Sequence, residues 1–252
     1  MFGLQENYPY WDDINEGIER NLPKVGPGQR ILDVGCGRAA LGQALSEKGY
    51  EVWGVENAPQ AVPLATGRIH KVIERDLLDF DGIAKQLGEV RFDYLVFSDV
   101  LEHVYDPVSV LGFYRQFLKP EGKLLVSVPN ALAWLHRFEF LFGRFKYRDS
   151  GVLDRTHVRF FTFSNANELA QRSGFKPVSW DCTPFLVRAF LPLIKRVLGG
   201  KKQEGADPAD LLRSPSYRFY LRWIYPAEYC LARLFKGLFS FRIILLAQKK
   251  EA

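Results

Sequence analysis

The sequence predicts an α/β fold, a mostly parallel sheet with helices on both faces. Three observations carry this. Short apolar runs alternate with helical patterns from about residue 28 to residue 182. The first run enters a Gly-Cys-Gly turn that leads straight into a helical pattern. Acidic residues, Glu56 and Asp76, then end the next two runs. Ligands of such sheets bind beyond the carboxyl ends of the strands, where these residues fall.

Arg30–Val34 (RILDV) reads as a buried strand, and Ala39–Lys48 as the helix after it. Tyr50–Val55 is a second strand, Pro59–Ala65 a short helix, and Lys71–Glu74 a weak third strand. Asp93–Phe97 is the fourth strand. Pro107–Leu118 is a helix stopped by Pro120 and Gly122. Lys123–Val128 is the fifth strand, closed by Pro129 and Asn130. Residues 131–161 are rich in aromatics and Arg without clean periodicity. Ser164 is the expected N-cap of a helix over Asn165–Arg172, ended by Gly174. Lys176–Asp181 is a sixth strand, and Phe241–Ala247 the last. Between them, residues 185–238 form two amphipathic stretches around the polar loop GGKKQEGADPAD.

Composition narrows the class. Of 252 residues, 47% are apolar and 25% charged, as in ordinary globular proteins and unlike disordered chains. The three scattered cysteines, Cys36, Cys182 and Cys230, fit buried thiols in a reducing, cytoplasmic compartment rather than a disulfide framework. The N-terminal MFGLQENYPYWDD is neither basic nor continuously apolar, so no signal peptide is expected. Tyr8, Tyr10 and Trp11 precede an expected helix over Asp12–Leu22.

The Asp33-Val34-Gly35-Cys36-Gly37 stretch allows a sharp turn and close approach of a ligand to the backbone. The following helix start favours an anion. Glu56 can accept both hydroxyls of a ribose, with Asn57 beside it, and Asp76 can accept from an adenine amine. The three strand ends describe a site for an adenosine-containing ligand. Either a dinucleotide or S-adenosylmethionine uses that layout. Asp33 separates them, because an acid there repels a pyrophosphate but pairs with an ammonium.

The Asp-x-Gly-x-Gly pattern resembles motif I of class I S-adenosylmethionine-dependent methyltransferases. The resemblance continues in Phe92–Val104 (FDYLVFSDVLEHV) and Gly122–Asn130 (GKLLVSVPN), and covers most of residues 28–182. It implies a Rossmann-like sheet of seven strands in the order 3-2-1-4-5-7-6, the last antiparallel, with a helical insert before that strand. It implies a single methyltransferase domain: an N-terminal helical cover (1–27), a cofactor-binding core (28–182), a basic insert (183–239) and a last strand (240–248). It further implies that Asp33, Gly35, Cys36 and Gly37 meet the methionine moiety, Glu56 and Asn57 the ribose, Asp76 and Leu77 the adenine, and that Ser98 and Val100 line the sulfonium pocket. Many relatives carry a third glycine where this chain has Ala39.

Methyl transfer to a hydroxyl benefits from a base, and His103, after the fourth strand, is the first candidate. His157 is the second, with Asp154 near enough to orient it. They lie in Asp154-Arg-Thr-His157-Val-Arg159-Phe-Phe-Thr162, which resembles a segment of bacterial relatives acting on polysaccharide and other cell-envelope intermediates. More loosely it is similar to ubiquinone-pathway O-methyltransferases. Glu102 and His103 offer two metal ligands, but no third stands at a diagnostic spacing, so no metal is expected.

Charge is uneven: residues 1–184 carry 21 Lys+Arg against 24 Asp+Glu, residues 185–252 carry 13 against 5. On a helical wheel Arg218, Arg222, Arg233 and Lys236 share one stripe. Tyr220, Ile224, Ala227, Leu231, Leu234 and Leu238 lie opposite, and Pro226 predicts a kink. Such helices lie in a membrane interface or pack as a lid, and both readings stand for 185–238. No nucleic-acid-binding signature is present.

The expected activity is therefore transfer of a methyl group from S-adenosyl-L-methionine to a small-molecule or lipid-linked acceptor, at a hydroxyl oxygen. It would take place in the cytoplasm or at the inner face of the cell membrane. A nucleotide-dependent oxidoreductase and a non-catalytic methyltransferase-like module at the membrane are the alternatives.

Overall fold

The computed structural model describes residues 14–22, 28–186 and 219–250. Seven strands form one sheet in the order β3-β2-β1-β4-β5-β7-β6. They are β1 (Arg30–Val34), β2 (Glu51–Glu56), β3 (Lys71–Glu74), β4 (Phe92–Ser98), β5 (Leu118–Pro129), β6 (Phe175–Pro184) and β7 (Ser240–Lys249). β7 runs antiparallel to both of its neighbours, and the other pairs are parallel. The expected order and the antiparallel last strand are both present.

Alternation along the strands builds two cores. Leu32, Val34, Leu95, Phe97, Leu124 and Val126 face one side, against α4 (Phe80–Leu87), α5 (Pro107–Tyr114) and α7 (Phe163–Arg172). Ile31, Val52, Val96, Leu125 and Ile244 face the other, against α1 (Glu16–Asn21) and α2 (Ala40–Glu47). Each central strand is thus covered twice, which is why it reads as an unbroken apolar run.

Several local expectations are corrected. The helix after Pro107 ends at Tyr114 and tightens into a 3₁₀ turn over Arg115–Phe117. β5 begins at Leu118 and contains Pro120, because pairing jumps from Phe92–Leu118 to Tyr94–Lys123 and leaves Pro120 outside the ladder. Thr162, not Ser164, caps α7: its hydroxyl accepts from the Asn165 N–H while the Asn165 side chain accepts from the Thr162 N–H. The N-terminal helix spans Glu16–Asn21, and Tyr8, Tyr10 and Trp11 lie outside the described residues. So does most of the first amphipathic stretch with its polar loop, 187–218. α3 (Val62–Thr66) is shorter than expected, and α6 (Trp134–Leu141) follows β5 where no periodicity is legible.

The described part of the insert contains α8 (Tyr225–Leu234) and α9 (Lys236–Phe239), preceded by a π-helical turn over Tyr220–Ile224. Asp181 on β6 ties it to the rest. Its carboxylate accepts from Arg20 (2.9 Å) and Asn21 (2.8 Å) of α1 and from the Tyr229 hydroxyl (2.6 Å) of α8. Of the cysteines, only Cys182 is fully buried; Cys36 is half-buried and Cys230 is exposed.

Candidate functional site: a cofactor crevice and a histidine cluster

The turn after β1 is built on backbone conformations that side chains resist. Gly35 has φ +76° and Gly37 φ +54°. A Cβ on Gly35 would stand 2.7 Å from Val100 Cγ2, so this position admits glycine alone. That contact also brings Val100, on the loop after β4, to the turn. The amides of Gly35 and Cys36 donate to the Val55 carbonyl at 2.8 and 3.2 Å, which fastens the turn to β2. The Cys36 side chain packs where a Cβ on Gly54 would fall, 2.5 Å from its sulfur. Ala39 also adopts a left-handed conformation, φ 58°. That is the physical reason glycine suits this position, and Ala39 holds it at a strain of about 1–2 kcal/mol.

Glu56 ends β2 facing the turn. One of its oxygens accepts from the Gly37 N–H at 2.8 Å; the other accepts from the Asn57 and Ala58 N–H groups, each at 2.9 Å. A carboxylate has about four lone-pair directions, so one remains for a ligand hydroxyl. The acceptor of two hydroxyls expected from the sequence requires one of these backbone bonds to be exchanged. Asn57 donates to Asp76 at 3.2 Å, and Asp76 also accepts from the Leu78 N–H at 2.9 Å. Leu77 is buried, with its carbonyl held by the Tyr114 hydroxyl at 3.1 Å. The ends of β1, β2 and β3 are therefore linked side by side through Glu56, Asn57 and Asp76.

Asp33 is the unusual member. It is 2% exposed, and its Oδ1 has no hydrogen-bond partner. Burial, reinforced by the charge of Glu56, pushes its pKa up to about 7. Burial, then the charges of Asp33 and Glu56, holds the Cys36 thiol protonated. Among the described residues neither acid forms an ion pair. Once Asp33 ionises, the site carries negative charge with no cationic side chain beside it among the described residues, which favours a cationic ligand and disfavours a pyrophosphate.

A polar chain crosses the ends of β4 and β5. The Asn15 amide donates to Ser98 (3.0 Å) and Ser127 (2.9 Å), and the Ser127 hydroxyl donates to Asp99 at 2.7 Å. Arg242 on β7 donates to the other Asp99 oxygen at 2.6 Å. Asp99 has φ 55°, a strained value for a residue with a side chain, and these bonds hold it there. Sequence reasoning identified Ser98 but missed Asn15, Ser127, Asp99 and Arg242. No local signal marks them, since they come from four separate elements.

Beyond Asp99, Glu102, His103 and His157 place one ligand atom each within 4.8 Å of one another. The imidazole rings lie 4.8 Å apart at 75°. His103 Nδ1 faces the Thr156 carbonyl at 3.2 Å and His157 Nδ1 faces the Val152 carbonyl at 2.9 Å. A carbonyl only accepts, so each Nδ1 bears the proton and each Nε2 is a lone-pair donor. Burial, then the neighbouring His157, lowers the His103 pKa to about 4, and burial lowers that of His157. Glu102 is 1% exposed, and neither carboxyl oxygen has a hydrogen-bond partner. Burial and the charge of Asp99 raise its pKa well above the ordinary carboxylate range. Asp154 does not hold the His157 ring as expected. Its carboxylate accepts from the Thr156 amide (2.8 Å) and hydroxyl (2.7 Å), and its carbonyl accepts from the His157 N–H at 3.0 Å. It positions His157 through the backbone.

Residues 5–179 match the family model described as a methyltransferase domain. The chain belongs to that family. It is 34% identical over 107 residues to the ubiquinone biosynthesis O-methyltransferase of Pseudomonas aeruginosa, covering 41% of this chain and 45% of that protein. With the enzyme of the same name from Idiomarina loihiensis it shares 35% over 146 residues, 50% of this chain and 58% of that one. The chain thus spans about half the length of the curated relatives it matches. A methyltransferase from Archaeoglobus fulgidus, described as SAM-dependent, superimposes with a TM-score of 0.59 at 18% identity, over 92% of this chain and 91% of that one. Phosphoethanolamine N-methyltransferase 2 of Haemonchus contortus, in complex with S-adenosyl-L-methionine, does so with a TM-score of 0.52 at 20% identity, over 94% of this chain and 52% of that one. These structural likenesses concern the fold of this methyltransferase-domain chain.

Proposed function

We propose that this protein transfers a methyl group from S-adenosylmethionine to a hydroxyl of a small or lipid-linked acceptor. The buried, unpartnered Asp33 carboxylate beside the Gly35 turn carries the reading. Asp33 would hold the cofactor's ammonium, with Gly35, Cys36 and Gly37 along the methionine. Glu56 and Asn57 would meet the ribose, Asp76 and Leu77 the adenine, and Ser98 and Val100 would close the sulfonium side. The bound cofactor supplies a methyl group already activated for in-line displacement. The chain's own part is to align the acceptor oxygen, exclude water and take up its proton. Nε2 of His103 or of His157, each left as the lone-pair side by the Nδ1 contact to a carbonyl, would take up that proton. The O-methyltransferase names of the sequence relatives support oxygen as the acceptor atom. The uncompensated acids of the crevice weigh against an oxidoreductase using a dinucleotide.

Isothermal titration with S-adenosylhomocysteine tests the first half. The expected result is 1:1 binding that Gly35→Arg abolishes, since any side chain there meets Val100. A folded protein that takes up NADH but not S-adenosylhomocysteine would reverse the assignment.

A second reading concerns the histidine cluster. The Glu102 carboxylate lacks partners and sits beside two neutral imidazoles, a donor set that fits a divalent cation. Glu102, His103 and His157 would hold it, and it would lower the pKa of a bound hydroxyl. The third donor comes from a distant loop, which is why sequence spacing does not reveal it. Dialysis against a chelator distinguishes the readings: lost turnover restored by a divalent ion supports the cation, unchanged turnover supports an imidazole base.

A lipid-linked acceptor and contact of residues 185–238 with a membrane are the finer parts of the same reading. Among the described residues no helix is long and apolar enough to cross a membrane.

A further inference from the structure

Most of the large apolar side chains left exposed among the described residues fall in two segments. One runs from Phe138 to Tyr147, where Leu141 is 77% exposed and Phe142 71%. The other runs from Phe219 to Phe235, where Leu234 is 72% exposed and Trp223 63%. Contiguous apolar exposure of this kind marks an interaction surface.

The second segment leaves part of its apolar face outside, unlike a lid. α8 buries Glu228, which accepts from the Leu186 amide and from the Tyr220 hydroxyl at 2.7 Å. Its Tyr229 hydroxyl is held by Asp181, and the Arg20 guanidinium stacks over the Tyr229 ring at 4.4 Å. The face of Glu228, Tyr229 and Ala232 therefore turns to the domain, while Ala227, Cys230 and Leu234 face outward together with Arg222 and Arg233. The sequence wheel placed Ala227 and Leu234 on the face a lid would bury. A helix docked only on its own domain would bury those residues and leave Glu228 in water.

The two segments are linked through residues at their edges. Arg137 of α6 donates to the Gly237 carbonyl of α9 at 3.2 Å, and Asn130 donates to the same carbonyl at 3.4 Å. The His136 ring stacks on Phe185, next to the Leu186 amide that Glu228 accepts. The first segment also reaches the histidine cluster: Phe145 packs on Phe160, close to Val158 and Arg159, whose amides donate to the Glu102 carbonyl. Exposed cations accompany the apolar groups: Arg144 and Lys146 on one segment, Arg222 and Arg233 on the other. Nearby acids are taken. Glu139 is bound by His136 and Arg148, and Glu228 is buried.

We infer that this joined face docks on the surface of an anionic lipid bilayer. Aromatic and aliphatic side chains would enter the headgroup boundary, and the arginines and lysine beside them would meet lipid phosphates. Charge complementarity favours this occupant over a second copy of the same positively charged face. The inference concerns binding and does not depend on methyl transfer.

Flotation of the full chain tests it, with vesicles of phosphatidylcholine alone or with about 30% phosphatidylglycerol. Binding about ten-fold stronger to the anionic vesicles, and weakened by salt, is expected. Leu141→Ser with Phe142→Ser should reduce binding about ten-fold on either lipid. Arg144→Glu with Lys146→Glu should remove the preference for phosphatidylglycerol. All four positions are exposed, so titration with S-adenosylhomocysteine should be unchanged, which keeps a failure here separate from a failure of the crevice. An environment-sensitive dye on the exposed Cys230 should shift further to the blue with the anionic vesicles than with phosphatidylcholine alone. Folded protein that stays with the soluble fraction at low salt overturns the inference. So does a concentration-dependent dimer that the Leu141 and Phe142 changes dissolve, because a second copy would then be the occupant.

Discussion

Asp33→Asn should raise the stability of the ligand-free protein at pH 8 and weaken S-adenosylmethionine binding at the same time. In the folded chain the Asp33 carboxyl titrates at about 7, against an ordinary value of 3.8. Between those values the native state keeps a proton that the unfolded chain has lost. This contribution to stability is complete below 3.8 and disappears as pH rises through about 7. Above neutrality the folded protein therefore carries a buried, unpaired charge. At about 1.4 kcal/mol per pH unit the ceiling on that destabilisation is about 4 kcal/mol. Asparagine removes the charge but still leaves a buried polar group, so a gain of about 1–2 kcal/mol is expected. Denaturant unfolding at pH 5 and pH 8 measures it, and the gain should appear at the higher pH. A charge-assisted bond to the cofactor's ammonium is worth about 1.5–3 kcal/mol, so affinity should fall about ten- to hundred-fold. Wild-type affinity should rise from pH 6 to pH 8 as Asp33 ionises, while the variant's stays flat. An unchanged affinity in the variant removes Asp33 from the ligand's contacts.

The second large effect concerns the histidines. With saturating cofactor, His103→Ala should lower kcat by about 10²- to 10⁴-fold and leave S-adenosylhomocysteine affinity within about two-fold of wild type. The pH profile is the sharper test. Burial and His157 lower the His103 pKa to about 4, so Nε2 stays unprotonated through neutrality. The acid limb of kcat should fall well below pH 6, not near the usual 6.5. A saturating cofactor keeps Asp33 ionised, so its titration affects affinity and not this limb. A limb at 6.5 would mean that an exposed histidine, or none, carries the proton. His157→Ala should cost less if His103 is the base, and as much if both hold one cation.

The parallel strands were legible because each is covered on both faces and reads as an apolar run. Arg30–Val34, read as a buried run, and Lys71–Glu74, read as a weak strand, have the limits expected. The glycine turn and the carboxylate that faces it were legible too, since glycines after a strand and an acid at the next strand end are local features. α4 was overlooked, although Asp79 caps it and Phe80, Ile83 and Leu87 mark one face; Gly82 in its first turn weakened the pattern. α6 carries aromatic or aliphatic groups all round, so no face stands out. Periodicity is silent there, because Phe138 and Leu141 of that helix face outward from the domain.

Local chemistry by itself determined the succession of strands and helices along the chain, the bent glycine turn, and the carboxylates at the next two strand ends. These are consequences of backbone sterics and of side-chain alternation, which neighbouring residues set. Tertiary structure alone decided which distant groups share a space. Glu102 and His103 acquire His157 because the loop amides of Val158 and Arg159 bind the Glu102 carbonyl. Tertiary contacts also chose the buried side of α8. The π-helical turn over Tyr220–Ile224 shifts the phase of the wheel, and Asp181 and the Leu186 amide reward Tyr229 and Glu228 over leucine. A helical wheel sorts residues by side; only the partners present around the helix settle which of them turn inward.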